Sequence, residues 1–358
     1  MKWSAVLALG ALLVATAPAA AAADPLPDYR PETHVSGLIR NFGFGLGGVL
    51  AQWEEAFRKY QPDITFKDTL PTSDAAFPGL VTYQADLGFD GGEPAITEAL
   101  SFWETHGYAA SFITIASGAY DVEGKSNGPI VFVAQDNPLT SLTMEQLDGI
   151  FGSARNGTLD GFVWTPEGGR GADKDIRTWD QLGIRGEWAG RPIQTYGHGP
   201  SGTTRFFQLK VLGNTDKWNP NYKAYVETGS KQIAPIDTQS RLGARWMLGN
   251  ELAHDRYGIG WSTMSQAKGI AGIKILAIAP RGGGAPVMPS RQSFADRTYP
   301  LTRNIYVYYD RKPGGAIDQK LKEFLRFILS AQGQLLVSQA GYLPLPTAVA
   351  AAERAKLQ

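Results

Sequence analysis

The run Gly197-His198-Gly199-Pro200-Ser201-Gly202-Thr203-Thr204 carries the clearest chemistry in the chain. The stretch Arg191 to Tyr196 precedes it, and an amphipathic run, Arg205 to Leu212, follows and stops at Gly213. This order predicts a strand, a glycine-rich turn and a helix, with Ser201 as the N-cap. Small residues leave the first-turn N–H groups open. Together with the positive end of the helix dipole they make a ready site for an anion. An ordinary capped helix has the same local sequence. His198 is either a surface loop histidine or an imidazole donor, cationic at lower pH, aimed at a ligand. A nucleophilic role for Ser201 fails on pattern, because G-x-S-x-G requires glycine at the position of Thr203.

Two further clusters carry chemistry. Gly43-Phe44-Gly45-Leu46-Gly47-Gly48 matches G-x-G-x-x-G between a predicted strand and helix, and Asp68 lies 20 residues beyond Gly48. That is the spacing of a dinucleotide-binding turn, although the same glycines serve any anion or polar ligand that approaches the backbone closely. Asp90 and Glu93 follow a short apolar strand beside Gly91 and Gly92. Either is an ordinary turn residue or an acceptor for a proton carried by a bound oxyanion, which would repel a fully deprotonated anion. The four histidines, His34, His106, His198 and His254, show no metal-ligand spacing, so no metal is expected.

The elements that must position these groups read as α/β throughout. Val35 to Asn41 is a first strand, Ile64 to Leu70 a second and Ala85 to Phe89 a third. Between them lie a helix buried through Leu46, Val49, Leu50, Trp53, Phe57 and Tyr60, and a helix opened by Thr72-Ser73-Asp74 with Phe77, Leu80 and Val81 inward. This βαβαβ order implies a parallel sheet with ligand sites at the carboxyl ends of its strands. A crossover to a second lobe is placed between Ser111–Ser117 and Ile130–Ala134. Thr143 and Gln146 form a capping box, and 156–175 reads as a surface insertion. Arg241 to Leu252 reads as a helix, Ile273 to Ile278 and Asn304 to Tyr309 as strands, and the C-terminal part as two helices stopped by Gly341.

Lys+Arg and Asp+Glu both number 34 in 358 residues, a balance that argues against nucleic acid or a membrane surface as partner. Lys2, the apolar run Ala5 to Ala15 and the alanines 19–23 read as an export leader over residues 1–23. With no cysteine there is no disulfide, thiolate metal site or lipid anchor, and the expectation is an exported protein that does not insert in the membrane. That address disfavours a nicotinamide cofactor, and no cofactor is expected.

Taken in order, several segments resemble the phosphate-binding proteins of ABC importers, in the two-lobed periplasmic-binding-protein superfamily. They include Leu46 to Trp53 with Phe57 and Tyr60, Ala85-Asp86-Leu87-Gly88 with the turn Asp90 to Pro94, and Asp136-Asn137-Pro138 with Leu142 to Leu147. Ser201-Gly202-Thr203-Thr204, Tyr299-Pro300-Leu301-Thr302-Arg303 and Gly341-Tyr342-Leu343-Pro344-Leu345 complete the match. The resemblance implies two mainly parallel α/β lobes joined by hinge strands, the first from 24–115 and 298–358, the second from 116–297. It implies no catalysis, a phosphate-like anion in the interlobe cleft, a periplasmic monomer, and an inner-membrane ABC permease as partner. Ligand donors would come from Phe44, Gly45 and Leu46, from Thr72 and Ser73, from Asp90, and from Ser201, Gly202 and Thr203. Two departures stand out. Phe44 and Gly45 replace hydroxyl residues common in the family, and the arginine expected shortly before Ser201 is missing between Arg191 and Arg205. His198 is nearest that place and is the expected substitute. An unreplaced guanidinium would cost about 1.5–3 kcal/mol of binding. Two alternatives remain open: a larger or less charged solute in an arginine-free cleft, and a periplasmic enzyme using the 43–48 turn for a nucleotide.

Overall fold

The computed structural model describes residues 25–160, 162–227 and 243–358. The expected leader and the first two residues of the predicted helix Arg241–Leu252 lie outside them.

The first sheet grows from the predicted βαβαβ unit. Strand β1 (Gly37–Gly43) lies between β2 (Ile64–Thr69) and β3 (Leu87–Asp90) and runs parallel to both. Helix α1 (Val49–Arg58) turns Val49, Leu50, Trp53 and Phe57 inward, as their spacing requires. Tyr60, expected on that face, is 39% exposed, because the helix ends at Arg58 and the position leaves the helical register. Helix α2 (Ala76–Val81) covers the sheet with Phe77 and Leu80. Helix α3 (Ile96–His106) was not predicted; only Phe102 is fully buried on it, too weak a stripe to show as a period. Strand β4 (Ser111–Ser117) completes the sheet with a strand from near the other end of the chain, Asn304–Tyr309, which pairs antiparallel with both β3 and β4. Helices Gln319–Ile328 and Ala331–Gln339 close the core over α1, where the Trp53 indole donates to the Gly333 carbonyl at 2.8 Å.

The second sheet orders Lys223–Tyr225, Gln194–His198, Gly258–Thr263, β5 (Pro129–Ala134) and Ile273–Ile275. Its first three strands are parallel, and β5 is antiparallel to both neighbours. The apolar run 273–278 is two strands, Ile273–Ile275 in this sheet and Ala277–Ala279 paired elsewhere with Ser141–Thr143. Helix α4 (Met144–Phe151) opens with the predicted capping box: Gln146 N–H donates to Thr143 Oγ1 at 3.1 Å, and Gln146 Oε1 accepts from Thr143 N–H at 2.8 Å. The insertion is a short hairpin, Thr158–Asp160 and Val163–Thr165, held at its base by the Arg155 fork on Asp148 at 2.8 and 2.7 Å.

The chain crosses between the sheets through 118–128 and again through 280–303. The crossings touch where Gly118 N–H donates to the Arg303 carbonyl at 2.8 Å. None of the helices among the described residues is long and apolar enough to cross a membrane.

Candidate functional site

Between the sheets lies a cavity of about 380 Å³, lined among others by Phe44, Thr72, Ser73, Lys125, Thr203 and Arg303. One wall is the second sheet's helix α5 (Gly202–Val211). The strand Gln194–His198 feeds into it through the glycine-rich turn, and Ser201 caps it as predicted, its Oγ accepting from Thr204 N–H at 3.2 Å. The amides of Gly202 and Thr203 are first-turn donors with no acceptor inside the helix. The facing wall comes from the first sheet. Thr72 is extended before a short turn at Ser73–Ala75, and Ser73 Oγ accepts from Gly91 N–H at 3.1 Å. Ser73 therefore sits on the turn that carries Asp90, which receives Gly92 N–H at 3.1 Å.

The expected arginine-free cleft is corrected. Arg303, at the end of the second crossing, is 4% exposed and donates from Nη1 to Thr203 Oγ1 at 2.8 Å. Its Nε is buried and has no hydrogen-bond partner among the described residues. A Cβ on Gly92 would stand 2.6 Å from Arg303 Nη2, and one on Gly202 2.9 Å from it. Glycine at both positions is what lets a buried, bonded guanidinium lie between the two walls. Arg205 also crosses between walls, pairing with Asp74 at 2.9 Å.

His198 is the second correction. Its ring is fully buried, 4.6 Å from the Trp261 ring, with Nε2 and the Ser262 hydroxyl 2.9 Å apart. Burial lowers its pKa, so the imidazole is neutral. It is packed in the sheet behind the turn and does not replace a guanidinium.

The other predicted residues divide. Phe44, Thr72, Ser73 and Thr203 line the cavity, and Ser201 and Gly202 flank Thr203. The Phe44 amide is already bonded to the Phe89 carbonyl at 2.9 Å, so that residue presents its ring. Leu46 takes a positive φ of 51° and buries its side chain in the first core. Gly45 packs near Leu70. Glu93 accepts from the Tyr306 hydroxyl at 3.0 Å and lines a separate hollow with Arg205.

Three groups were missed. Arg303 belongs to a segment quoted for the resemblance, yet it is 100 residues from Thr203. A lone cation just before a buried strand, on a chain crossing, was the available signal. Lys125 lines the cavity from the other crossing and donates to the Gly47 carbonyl at 2.6 Å. Glu227 lines it from the end of a polar stretch and accepts the Thr203 hydroxyl.

The two carboxylates differ. Burial pushes Asp90 up to about 7, against the opposing pull of the Ser73 hydroxyl and the charges of Arg205 and Arg303. For Glu227 burial also acts upward, but the charges of His198 and Arg303 and the hydroxyls of Thr203 and Ser201 outweigh it and hold the carboxyl below its usual value. Since His198 is itself kept neutral by burial, Arg303 carries that attraction. Among the described residues no cluster of three or more His, Asp or Glu side chains is placed to hold a metal ion.

A family model described as a PBP superfamily domain matches residues 46–332. The chain is 31% identical to the phosphate-binding protein PstS of Pseudomonas aeruginosa over 340 residues, covering 94% of this chain and 92% of that one. It is 27% identical to the protein SphX of Synechocystis over 211 residues, covering 58% and 51%. Among solved structures, PstS from Borrelia burgdorferi superposes with a TM-score of 0.54 at 16% identity, covering 87% of this chain and all of that one. A possible phosphate-binding protein from Planctomyces limnophilus gives 0.50 at 18% identity, covering 90% and 98%.

Proposed function

This chain belongs to the PBP superfamily and, within it, to the family of the phosphate-binding protein PstS, and from that premise we propose that it captures inorganic phosphate or a related oxyanion in the cleft and delivers it to an ABC permease in the inner membrane. The observation that carries this reading is Arg303: a buried guanidinium with an unpartnered Nε, set beside the first-turn amides and the Thr203 hydroxyl of α5. A charge buried at this cost without a full set of partners fits a site completed by an anion. Ser73 and Ser201 add hydroxyls, and Asp90, which holds a proton near neutrality, would share one with the ligand. Phe44 would shape the cavity rim with its ring.

The reading extends to a periplasmic monomer released from its leader, without catalysis or cofactor. The lobes would be 24–115 with 298–358, and 116–297, closing on the ligand about the two crossings. Titration calorimetry on refolded, ligand-stripped protein is the test, at about pH 6 and about pH 8, on either side of the value of about 7 to which Asp90 is pushed. The expected result is saturable heat, with a rise in Tm that reports a stabilisation of about 2.7 kcal/mol at 100 times Kd. Neither heat nor shift with millimolar phosphate would sink the phosphate reading. A second reading has one observation in its favour. The cavity of about 380 Å³ is several times larger than a bare oxyanion needs, and an organic phosphate would fill it. Native mass spectrometry of protein taken from its source would then show a retained mass above that of phosphate.

A further inference from the structure

Glu227 is the unexpected group in this cleft. An anion site normally offers donors, and here a half-buried carboxylate already uses some of them. The Thr203 hydroxyl has one proton. Arg303 Nη1 donates to its oxygen at 2.8 Å, so the proton is directed to Glu227 Oε1. Thr203 therefore does not serve the ligand as a free donor. What a ligand meets on this wall is the guanidinium of Arg303 and the carboxylate of Glu227, beside the amides of the first turn.

Among the described residues, the charged and titratable groups around Glu227 come from three elements. They are His198 from the strand behind, Arg303 from the second crossing, and Lys125 from the first, across the cavity. His198 is neutral. Arg303 and the Ser201 and Thr203 hydroxyls keep Glu227 ionised. An ionised carboxylate only accepts hydrogen bonds, so a ligand oxygen that touches it must carry a proton. Above its pKa of about 7, Asp90 would make the same demand from behind Ser73 on the facing wall. Arg205, the other nearby cation, is paired with Asp74. Among the described residues Arg303 and Lys125 thus stand against Asp90 and Glu227, and with both carboxylates ionised no net positive charge is left to favour a second negative charge on the ligand.

We infer that Glu227 is a specificity-determining acceptor, which together with Asp90 makes the cleft take the doubly protonated, singly charged form of phosphate in preference to the monohydrogen dianion. The inference rests on the phosphate reading above. It predicts a pH dependence that one carboxylate alone would not give. Above the second ionisation of phosphate, the dihydrogen form falls about tenfold for each pH unit. Asp90 adds a pH dependence of its own, common to wild type and to any Glu227 variant. The informative quantity is therefore the difference between proteins.

Calorimetric titration with inorganic phosphate at pH 7.5 and 8.5, on wild type and Glu227→Gln, reads it. The expected result is that Kd for total phosphate rises about tenfold more over that interval in wild type than in the variant. The glutamine amide donates to the dianion where the carboxylate repelled it, so the variant is the tighter binder at pH 8.5. Should the glutamine protein not fold, Glu227→Asp keeps the carboxylate and must keep the wild-type slope. A wild-type Kd that is flat between the two pH values overturns the inference. Parallel profiles in wild type and Glu227→Gln also overturn it, including a uniform gain in affinity, since that marks Glu227 as a competitor for the site. No binding by wild type at either pH is a different failure, that of the phosphate reading itself.

Discussion

On one wall of the cleft Asp90 stands beside Ser73, and on the other Glu227 stands beside Ser201 and Thr203. Each wall joins a hydroxyl at a helix start to a carboxylate, and both carboxylates feel Arg303. Asp90 is nevertheless pushed up to about 7, while Glu227 is held down. The difference lies in what each carboxylate gives up and receives. Asp90 closes a fully buried strand and loses its hydration; Glu227 is half-buried and takes the Thr203 hydroxyl that Arg303 polarises. Similar residue types on facing walls therefore differ in protonation, because burial raises both and only Glu227 receives enough hydroxyl bonds and positive charge to outweigh it.

Removing that guanidinium is the largest test of the comparison. Arg303→Met leaves Glu227 and Asp90 facing each other without their shared cation. The expected loss is about 1.5–3 kcal/mol of phosphate affinity, roughly 10- to 150-fold. Ligand-free stability is not expected to fall in step, because methionine also removes the cost of burying a charge whose Nε has no partner among the described residues. Calorimetry and chemical denaturation check both. Unchanged affinity in a folded variant would remove Arg303 from the site.

Asp90→Asn comes next. The carboxyl holds its proton to about pH 7 when folded and to 3.8 as the ordinary value. The native state therefore has the full benefit of this group below about pH 4 and loses it as pH rises through about 7. Asparagine removes that loss. The ligand-free variant should equal wild type near pH 4 and exceed it at pH 8, by on the order of 2–4 kcal/mol. Thermal denaturation at the two pH values reads the difference, and a constant gap would place the raised pKa elsewhere.

Both walls were partly legible in the sequence. The βαβαβ unit was visible because Val49, Leu50, Trp53 and Phe57 recur at helical spacing between short apolar strands, and the Thr143 and Ser201 caps because capping is local. Helix α3 hid because one buried residue, Phe102, makes no stripe. The run 273–278 looked like one strand because its apolar content says nothing of which sheet each half joins. Ser73, Asp90 and Ser201–Thr203 could be named from turns and resemblance. Arg303 and Glu227 could not be placed, since they reach Thr203 from 100 and 24 residues away. His198 was chosen by proximity in sequence, and strand alternation turned its ring to Trp261 and Ser262.

A buried carboxylate far from the cavity separates burial from ligand chemistry. Glu54 shares the Asn41 amide with Asp68, at 2.8 and 3.1 Å, and is pushed up to about 8 by burial first and by the charge of Asp68 second. Its stabilising contribution is present at low pH and lost as pH rises through about 8. Glu54→Gln should therefore gain about 1–3 kcal/mol over wild type at pH 9 and little at pH 5, with phosphate affinity unchanged. A change in affinity would tie this cluster to the cleft.

The smallest effect belongs to the pair that links the walls directly. Arg205 and Asp74 meet at 2.9 Å, with side chains 25% and 57% exposed, so solvent screens them and the pair is worth about 0.2–1 kcal/mol. Arg205 also lowers the pKa of Asp90, and this gives the two single variants opposite signatures. Arg205→Gln removes the bridge and lets Asp90 keep its proton to higher pH. Asp74→Asn removes the bridge but leaves the Arg205 charge uncompensated, so Asp90 should release its proton at lower pH. Both should weaken closure by a similar small amount, and both losses should fade in high salt, where exposed charges are screened. Phosphate titrations of the two variants and their double mutant, at low and high salt, separate the terms. If the singles shift the pH profile in the same direction, Arg205 acts on the cleft only as a strut, and the asymmetry between Asp90 and Glu227 rests on burial and Arg303 alone.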